Sequence, residues 1–219
     1  MIKGLIFDLD GVITDSAEYH YQAWKALGQD LGIPFDRAFN ERLKGISRME
    51  SLELILEHGH QSEQYTQKQK EILADKKNIH YLSFVEKMTE KDVLPGIRDL
   101  LKEAKQRQLK IALASASKNG PMILNRLGVQ SYFDVIVDPS SLIHGKPNPE
   151  IYMKGADMLG LQPSECIGLE DAQAGIEAIH RAGMFAVGIG DFIVLKEADY
   201  IVSDTSQLQL DKLLENARK

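Results

Sequence analysis

The scarcities in this chain narrow it first. It holds one cysteine, Cys166, in 219 residues, so no disulfide can close within it. No apolar run reaches the length of about 18 residues that a membrane-spanning helix needs. Cations are outnumbered, 26 Lys and Arg against 32 Asp and Glu, for a formal charge of −6. That balance argues against nucleic acid as a partner, which normally calls for a basic face. Lysine and aspartate interrupt the apolar N-terminus too early for export, so a soluble cytoplasmic protein is expected. Neither an internal repeat nor a low-complexity segment is visible. The length allows one sizeable core, or a core with a small inserted domain.

What is there begins with Leu5-Ile6-Phe7-Asp8-Leu9-Asp10-Gly11. Residues 2–7 form an apolar run suited to a strand buried on both faces. It ends in two carboxylates that share a side, because strand side chains alternate. Buried carboxylates are costly without a cation or a proton-transfer role, although Asp10-Gly11 also suits an ordinary turn. Ser16 then offers an N-cap, and Tyr19, Ala23, Trp24, Leu27 and Leu31 recur at helical spacing until Gly32-Ile33-Pro34. A second helical pattern carries Met49, Leu52, Ile55 and Leu56, and a third runs over about 65–88. With no strand signal between 16 and 90, residues 16–92 read as a separate helical bundle.

From Val93 the punctuation is β/α. Strands are expected at 110–114, 135–137, 166–169, 185–189 and 200–202. Helices are expected at 97–106, 120–127, 150–159, 172–182 and 208–216. This alternation predicts an α/β fold, a doubly wound parallel sheet built from residues 1–15 and 93–219, with the helical module inserted after the first strand. In such a sheet all C-terminal strand ends share one edge, where ligands bind. Asp8 and Asp10, Ser115, Lys146 and Glu170-Asp171 all fall at that edge, a convergence that core packing does not explain.

Those parts suit phosphoryl transfer. Asp8 would attack phosphorus to form an aspartyl phosphate, and Asp10 would protonate the leaving oxygen and deprotonate the incoming hydroxyl. Asp8, Asp171 and the Asp10 carbonyl could hold Mg²⁺, with Glu170 bound to it or just behind. Lys146 adds positive charge, and Ser115 with loop N–H groups can hydrogen-bond phosphoryl oxygens. A phosphorylatable signalling switch uses similar parts, as would a silent sugar-phosphate binder. The long insertion after the first strand argues against the switch, and the intact Asp8 and Asp10 argue against the silent binder.

Asp8 to Asp15, Ser115, Lys146-Pro147 and Gly168-Leu169-Glu170-Asp171 resemble the four motifs of the haloacid-dehalogenase-type phosphotransferases. Tyr19 to Trp24 around His20, Leu43 to Arg48 and Ala114 to Gly120 narrow the resemblance to the glucose-phosphate mutases of that superfamily. It covers most of the chain, though it is unsettled over 59–72 and faint beyond Gly190. The resemblance implies a Rossmann-like core under a mobile helical cap. It also implies exchange of β-D-glucose 1-phosphate and glucose 6-phosphate through β-glucose 1,6-bisphosphate, with Mg²⁺. Substrate contacts carried over are Asp10, Ser16, His20, Trp24 and Lys44; Gly45, Ile46, Ser47, Arg48 and Lys77; and Ser115, Ala116, Ser117, Lys118 and Asn119. Ser16 stands where the family pattern has threonine, keeping the hydroxyl and losing a methyl.

Mutase chemistry also has a physical rationale. A bisphosphate must be gripped at both ends, and Arg48 with Ser117, Lys118 and Asn119 could hold the phosphate away from Asp8. Taken alone, Arg48 reads first as an exposed helix residue and His20 as a structural histidine, and Trp24 could equally be a packing residue. His20 and Lys44, with Ser16 near the hinge, would support closure. The alternative is a sugar-phosphate phosphatase of the same superfamily, in which water accepts the phosphoryl group. The partner is expected to be a small sugar phosphate, with neither nucleic acid nor membrane, and the protein a monomer.

Overall fold

The computed structural model describes residues 1–218. Two compact units emerge: Ser16–Met88, and Met1–Asp15 together with the chain from Thr89 onward. The chain opens with β1 (Gly4–Phe7), buried throughout. A tight loop follows, in which Gly11 N–H donates to the Thr14 carbonyl and Ile13 N–H to the Leu9 carbonyl.

Ser16–Met88 holds α1 (Ala17–Leu31), α2 (Arg37–Glu41), α3 (Arg48–His58) and α4 (Gln67–Val85). Side chains that satisfy the otherwise unpaired first N–H groups set three of their starts. Asp36 accepts from Phe39 N–H, and Ser47 with Glu50 and Thr66 with Gln69 form reciprocal capping boxes. Trp24, Leu27, Phe39, Leu52, Ile55 and Leu56 close a core in which α1 and α3 both pack on α4. The short α2 was not expected, because five residues are too few to display a helical period. Ser16 does sit at the N-cap of α1, but its side chain makes no capping hydrogen bond. Its hydroxyl meets the Tyr81 hydroxyl at 2.9 Å.

Residues 89–92, expected with the helices, belong to the sheet unit. Thr14 explains this: its hydroxyl donates to the Asp92 carbonyl at 2.7 Å, and Leu94 N–H returns to the Ile13 carbonyl.

Beyond lie α5 (Ile97–Gln106), β2 (Lys110–Leu113), α6 (Gly120–Arg126), β3 (Val135–Ile136), α7 (Glu150–Leu159) and β4 (Cys166–Glu170). They are followed by α8 (Gln173–Arg181), β5 (Phe185–Ile189), β6 (Tyr200–Val202) and α9 (Leu210–Asn216). The strands form one parallel sheet in the order β3-β2-β1-β4-β5-β6. Ile6, Ala112 and Ala114 pack against Tyr152 and Ala156 of α7 and Ile176 and Ile179 of α8. The chain winds from β1 outward to β3, then crosses back to β4 on the other side of β1. That reversal opens a crevice outside the carboxyl ends of β1 and β4, where open α/β sheets take their ligands. Phe7 is level with Leu113 on β2 and Leu169 on β4, so the residues that follow all three strands meet there.

Candidate active site

Asp8 leaves β1 still tied to the sheet, its N–H donating to the Leu169 carbonyl at 3.0 Å. Its carboxylate is buried and divided between two partners. Lys146 Nζ donates to Oδ1 at 2.6 Å, and Asp10 N–H donates to Oδ2 at 3.1 Å. Lys146 also ion-pairs with Glu170 Oε1. Glu170, fully buried at the end of β4, takes four donors in all. Tyr152 OH shares Oε1 at 3.2 Å, and the N–H groups of Asp171 and Ala172 reach Oε2 at 2.9 and 3.0 Å. Ser115, beyond β2 on the same edge, accepts from Ser117 N–H at 3.1 Å.

Burial, reinforced by the Glu170 and Asp10 charges and opposed by Lys146, pushes the Asp8 pKa up to about 7. Burial would pull the Lys146 ammonium down, but Asp8 and Glu170 outweigh it and hold the group protonated. Burial and the same two carboxylates raise the Tyr152 phenol well above its usual value, leaving it a donor.

Asp8, Glu170 and Asp171 each offer an oxygen within 4.8 Å of the others, a group that could hold a metal ion. An all-carboxylate set suits a hard divalent cation. Gly11 makes room beside it: with φ at 73°, it takes a conformation that favours glycine, and a Cβ there would collide with the Asp171 carboxylate.

The helical unit gathers a second group. Lys77, only 2% exposed, places Nζ 2.8 Å from His20 Nδ1 and over the rings of Trp24 (4.5 Å) and Tyr81 (4.9 Å). Burial, then the charges of Lys77 and Arg48, hold the His20 pKa well below 6.5. A neutral ring accepting at Nδ1 carries its proton on Nε2. Trp24 is built into the core of this unit, so its ring supports Lys77 as well as packing. Arg48 opens α3 beside Ser47, 3.6 Å from Asp75 Oδ1, with burial lowering its pKa. Gly45 turns the chain with φ at 75°, Ile46 packs on the core, and Lys44 pairs with Glu41 at 2.8 Å. In the sheet unit, Ser117, Lys118 and Asn119 lead into α6; Ala116 and Ser117 are partly exposed and Lys118 is exposed. Ser117 Oγ accepts from Asn119 N–H at 3.3 Å.

Three contributors carried no sequence signal. Tyr152 and Gly175 look like ordinary helix residues. Glu150 looks like a solvated charge, yet it accepts from the N–H groups of Ile143 and His144 and so steadies the loop that carries Lys146.

Residues 2–183 match the model of the haloacid dehalogenase-like hydrolases, and the chain belongs to that family. Among its relatives is a β-phosphoglucomutase of Bacillus subtilis, 51% identical over 98% of this chain and 95% of that one. The crystal structure of a β-phosphoglucomutase from Clostridium difficile superposes with a TM-score of 0.98. It is 47% identical, covering 100% of this chain and 98% of that one. A phosphorylated carbohydrates phosphatase of Thermotoga maritima is 29% identical over 84% and 82% of the two chains.

Proposed function

We propose that this chain interconverts β-D-glucose 1-phosphate and D-glucose 6-phosphate through an aspartyl phosphate and β-glucose 1,6-bisphosphate. The observation that carries the chemistry is the buried Asp8–Lys146–Glu170 group at the sheet's reversal point, with Asp171 beside it. The preference for a sugar acceptor over water draws on similarity to the Bacillus subtilis mutase along nearly the whole of both chains.

Asp8 attacks the phosphorus of the bisphosphate, forming an acyl phosphate as the bond to the sugar oxygen breaks. Asp10 gives its proton to that oxygen. In the return step, the free hydroxyl of a bound glucose phosphate gives its proton to Asp10 and attacks the same phosphorus, which releases Asp8. Alternating between the two ends of the bisphosphate moves phosphate between C1 and C6. Ser115 and Lys146 hydrogen-bond the phosphoryl oxygens, preorganised donors worth most where charge develops. Mg²⁺, held by Asp8, Glu170, Asp171 and the Asp10 carbonyl, would offset repulsion between the nucleophile and the anionic phosphoryl group.

Arg48, Ser117, Lys118 and Asn119 serve the phosphate that is not being transferred. His20 and Lys77, with Ser16, Lys44, Gly45, Ile46 and Ser47, shape the sugar side. Trp24 backs Lys77, and Ala116 lines the approach to Ser115. Among the described residues, no helix is long and apolar enough to cross a membrane. The reading takes the enzyme to be a cytoplasmic monomer.

The test supplies β-glucose 1-phosphate, Mg²⁺ and a trace of bisphosphate, then weighs glucose 6-phosphate against inorganic phosphate. Glucose 6-phosphate should dominate. Predominant inorganic phosphate would replace the mutase with the phosphatase, whose acceptor is water.

A further inference from the structure

Glu170 takes four donors, and its location is sterically demanding. Its carboxylate lies against the first turn of α8. A Cβ built on Gly175 would overlap its Oε1, Cδ and Cγ. Gly175 is buried and helical, its N–H donating to the Ala172 carbonyl at 3.1 Å. Its φ is not in the left-handed region, so the backbone itself does not ask for glycine. Within a helix, glycine is the poorest choice short of proline. What the position requires is the empty volume.

We infer that Gly175 is a positioning residue: the missing side chain on α8 forms the socket that holds the Glu170 carboxylate against Lys146 and the Asp171 main chain. Glu170 cannot simply swing aside. Moving Oε1 strips Lys146 and Tyr152 of an acceptor, and moving Oε2 releases the N–H groups of Asp171 and Ala172. An added methyl would therefore act on three other parts of the site: the Lys146 ammonium shared with Asp8, the direction of Asp171 and the Glu170 oxygens themselves. Gly11 and Gly175 emerge as a pair, each leaving the space for one carboxylate of the Glu170-Asp171 dipeptide. Gly11 is visible in sequence beside Asp10, whereas Gly175 lies in a helix where glycine looks like a flaw.

The inference rests on the proposed function only for its kinetic readout, so it is tested on two independent measurements. Gly175→Ala, Glu170→Asp and the double variant are compared with Gly155→Ala. That control also adds a methyl to a helix of the sheet unit, but its Cβ would meet Ile6 and Val137 at ordinary distances of 3.4–3.7 Å. Mg²⁺ binding is followed by calorimetry with no sugar present, and kcat and KM by the isomerase assay. Gly175→Ala should weaken Mg²⁺ binding and lower kcat, each by about ten- to a hundredfold, the range for groups that orient metal ligands. KM should move little, and Gly155→Ala should resemble wild type. Aspartate at 170 is one methylene shorter and vacates the socket. In that background, adding Gly175→Ala should change Mg²⁺ binding by less than about threefold, the non-additivity expected of residues in contact.

Unchanged Mg²⁺ binding in Gly175→Ala, or an equal loss in both backgrounds, would overturn the proposal. If Gly175→Ala fails to fold, recovery of folded protein in the double variant supports it, and continued misfolding counts against it. If wild type has no isomerase activity, the proposed function fails while the calorimetric comparison still judges the socket.

Discussion

Among the described residues, each unit encloses one lysine to the same degree, and the two are held by opposite kinds of partner. Lys146 and Lys77 are both 2% exposed. Lys146 sits between two carboxylates, Asp8 and Glu170. Lys77 meets a neutral imidazole nitrogen and the faces of two aromatic rings. A buried ammonium is costly, and either arrangement offsets that cost. The consequences differ. Around Lys146, two anions hold the ammonium protonated and in place where Asp8 must work. Around Lys77, the positive charge acts outward on its neighbours and helps to keep His20 neutral. Burial of a cation therefore does not disclose its role; the charge of its neighbours does.

The hardest break in the comparison is Lys146→Met. It strands two buried carboxylates side by side, and removing one member of a buried ion group costs about 3–5 kcal/mol. Urea unfolding at pH 7 should show a loss of that size. The loss should shrink toward pH 5, because wild-type Asp8 itself takes up a proton as pH falls through its pKa of about 7 and gives up its attraction to Lys146. Losing a donor to the phosphoryl oxygens should lower kcat about a hundred- to thousandfold. Lys77→Met is the counterpart, and it leaves behind an uncharged ring rather than two anions. Its stability loss should be the smaller of the two. Its signature is a His20 titration, followed by NMR, that moves up toward 6.5 yet stays below it, because burial remains after the Lys77 charge has gone. An unmoved titration would mean that Lys77 does not act on the ring.

His20 itself gives a pH test. The folded state keeps the ring neutral where the unfolded chain would bind a proton, so below about pH 6.5 acid favours unfolding. Stability from this source is present above that pH and is lost as pH falls. His20→Gln has no such proton. Relative to that variant, wild type should lose about 1.7 kcal/mol of stability between pH 6.5 and 5. Parallel stability curves for the two proteins would show that His20 titrates normally.

The difference between the two lysines also explains what the sequence could and could not disclose. Lys146 was legible because a parallel sheet delivers its strand ends, and the loops that lead from them into the next helix, to one edge. Apolar runs at 2–7, 110–114 and 166–169 placed Asp8, Ser115 and Glu170-Asp171 there without any contact being known. Lys77 lies in a long polar helix, where a lysine looks solvated, and only the resemblance to glucose-phosphate mutases singled it out. Its His20 and Trp24 neighbours come from α1, and helix packing has no register that sequence spacing reveals across two helices. Ser16 shows a further limit: the N-cap position followed from its place before a helical period, but the hydroxyl's partner, Tyr81, is 65 residues away. Gly175 and Tyr152 mark the extreme, because an empty volume and a single long-range donor have no periodicity at all.

The smallest expected effect gives the sharpest form of the comparison, because both lysines also lie over aromatic rings. Tyr152 contributes twice to the Lys146 group: its hydroxyl donates to Glu170 Oε1, and its ring centroid lies 5.1 Å from Lys146 Nζ. Tyr152→Phe keeps the ring and removes the hydroxyl. Glu170 retains Lys146 and two main-chain donors, so the loss should be about 1 kcal/mol, with kcat down by less than about tenfold. Tyr152→Leu removes the ring as well and should cost about another 1 kcal/mol or more, from a desolvated cation–π contact and lost packing. Urea unfolding of the pair separates the two contributions. If phenylalanine and leucine prove equally stable, the ring gives Lys146 nothing, and aromatic support belongs to Lys77 alone. If phenylalanine matches wild type, Glu170 has donors to spare, and its position is set by the socket beside Gly175 rather than by the Tyr152 hydroxyl.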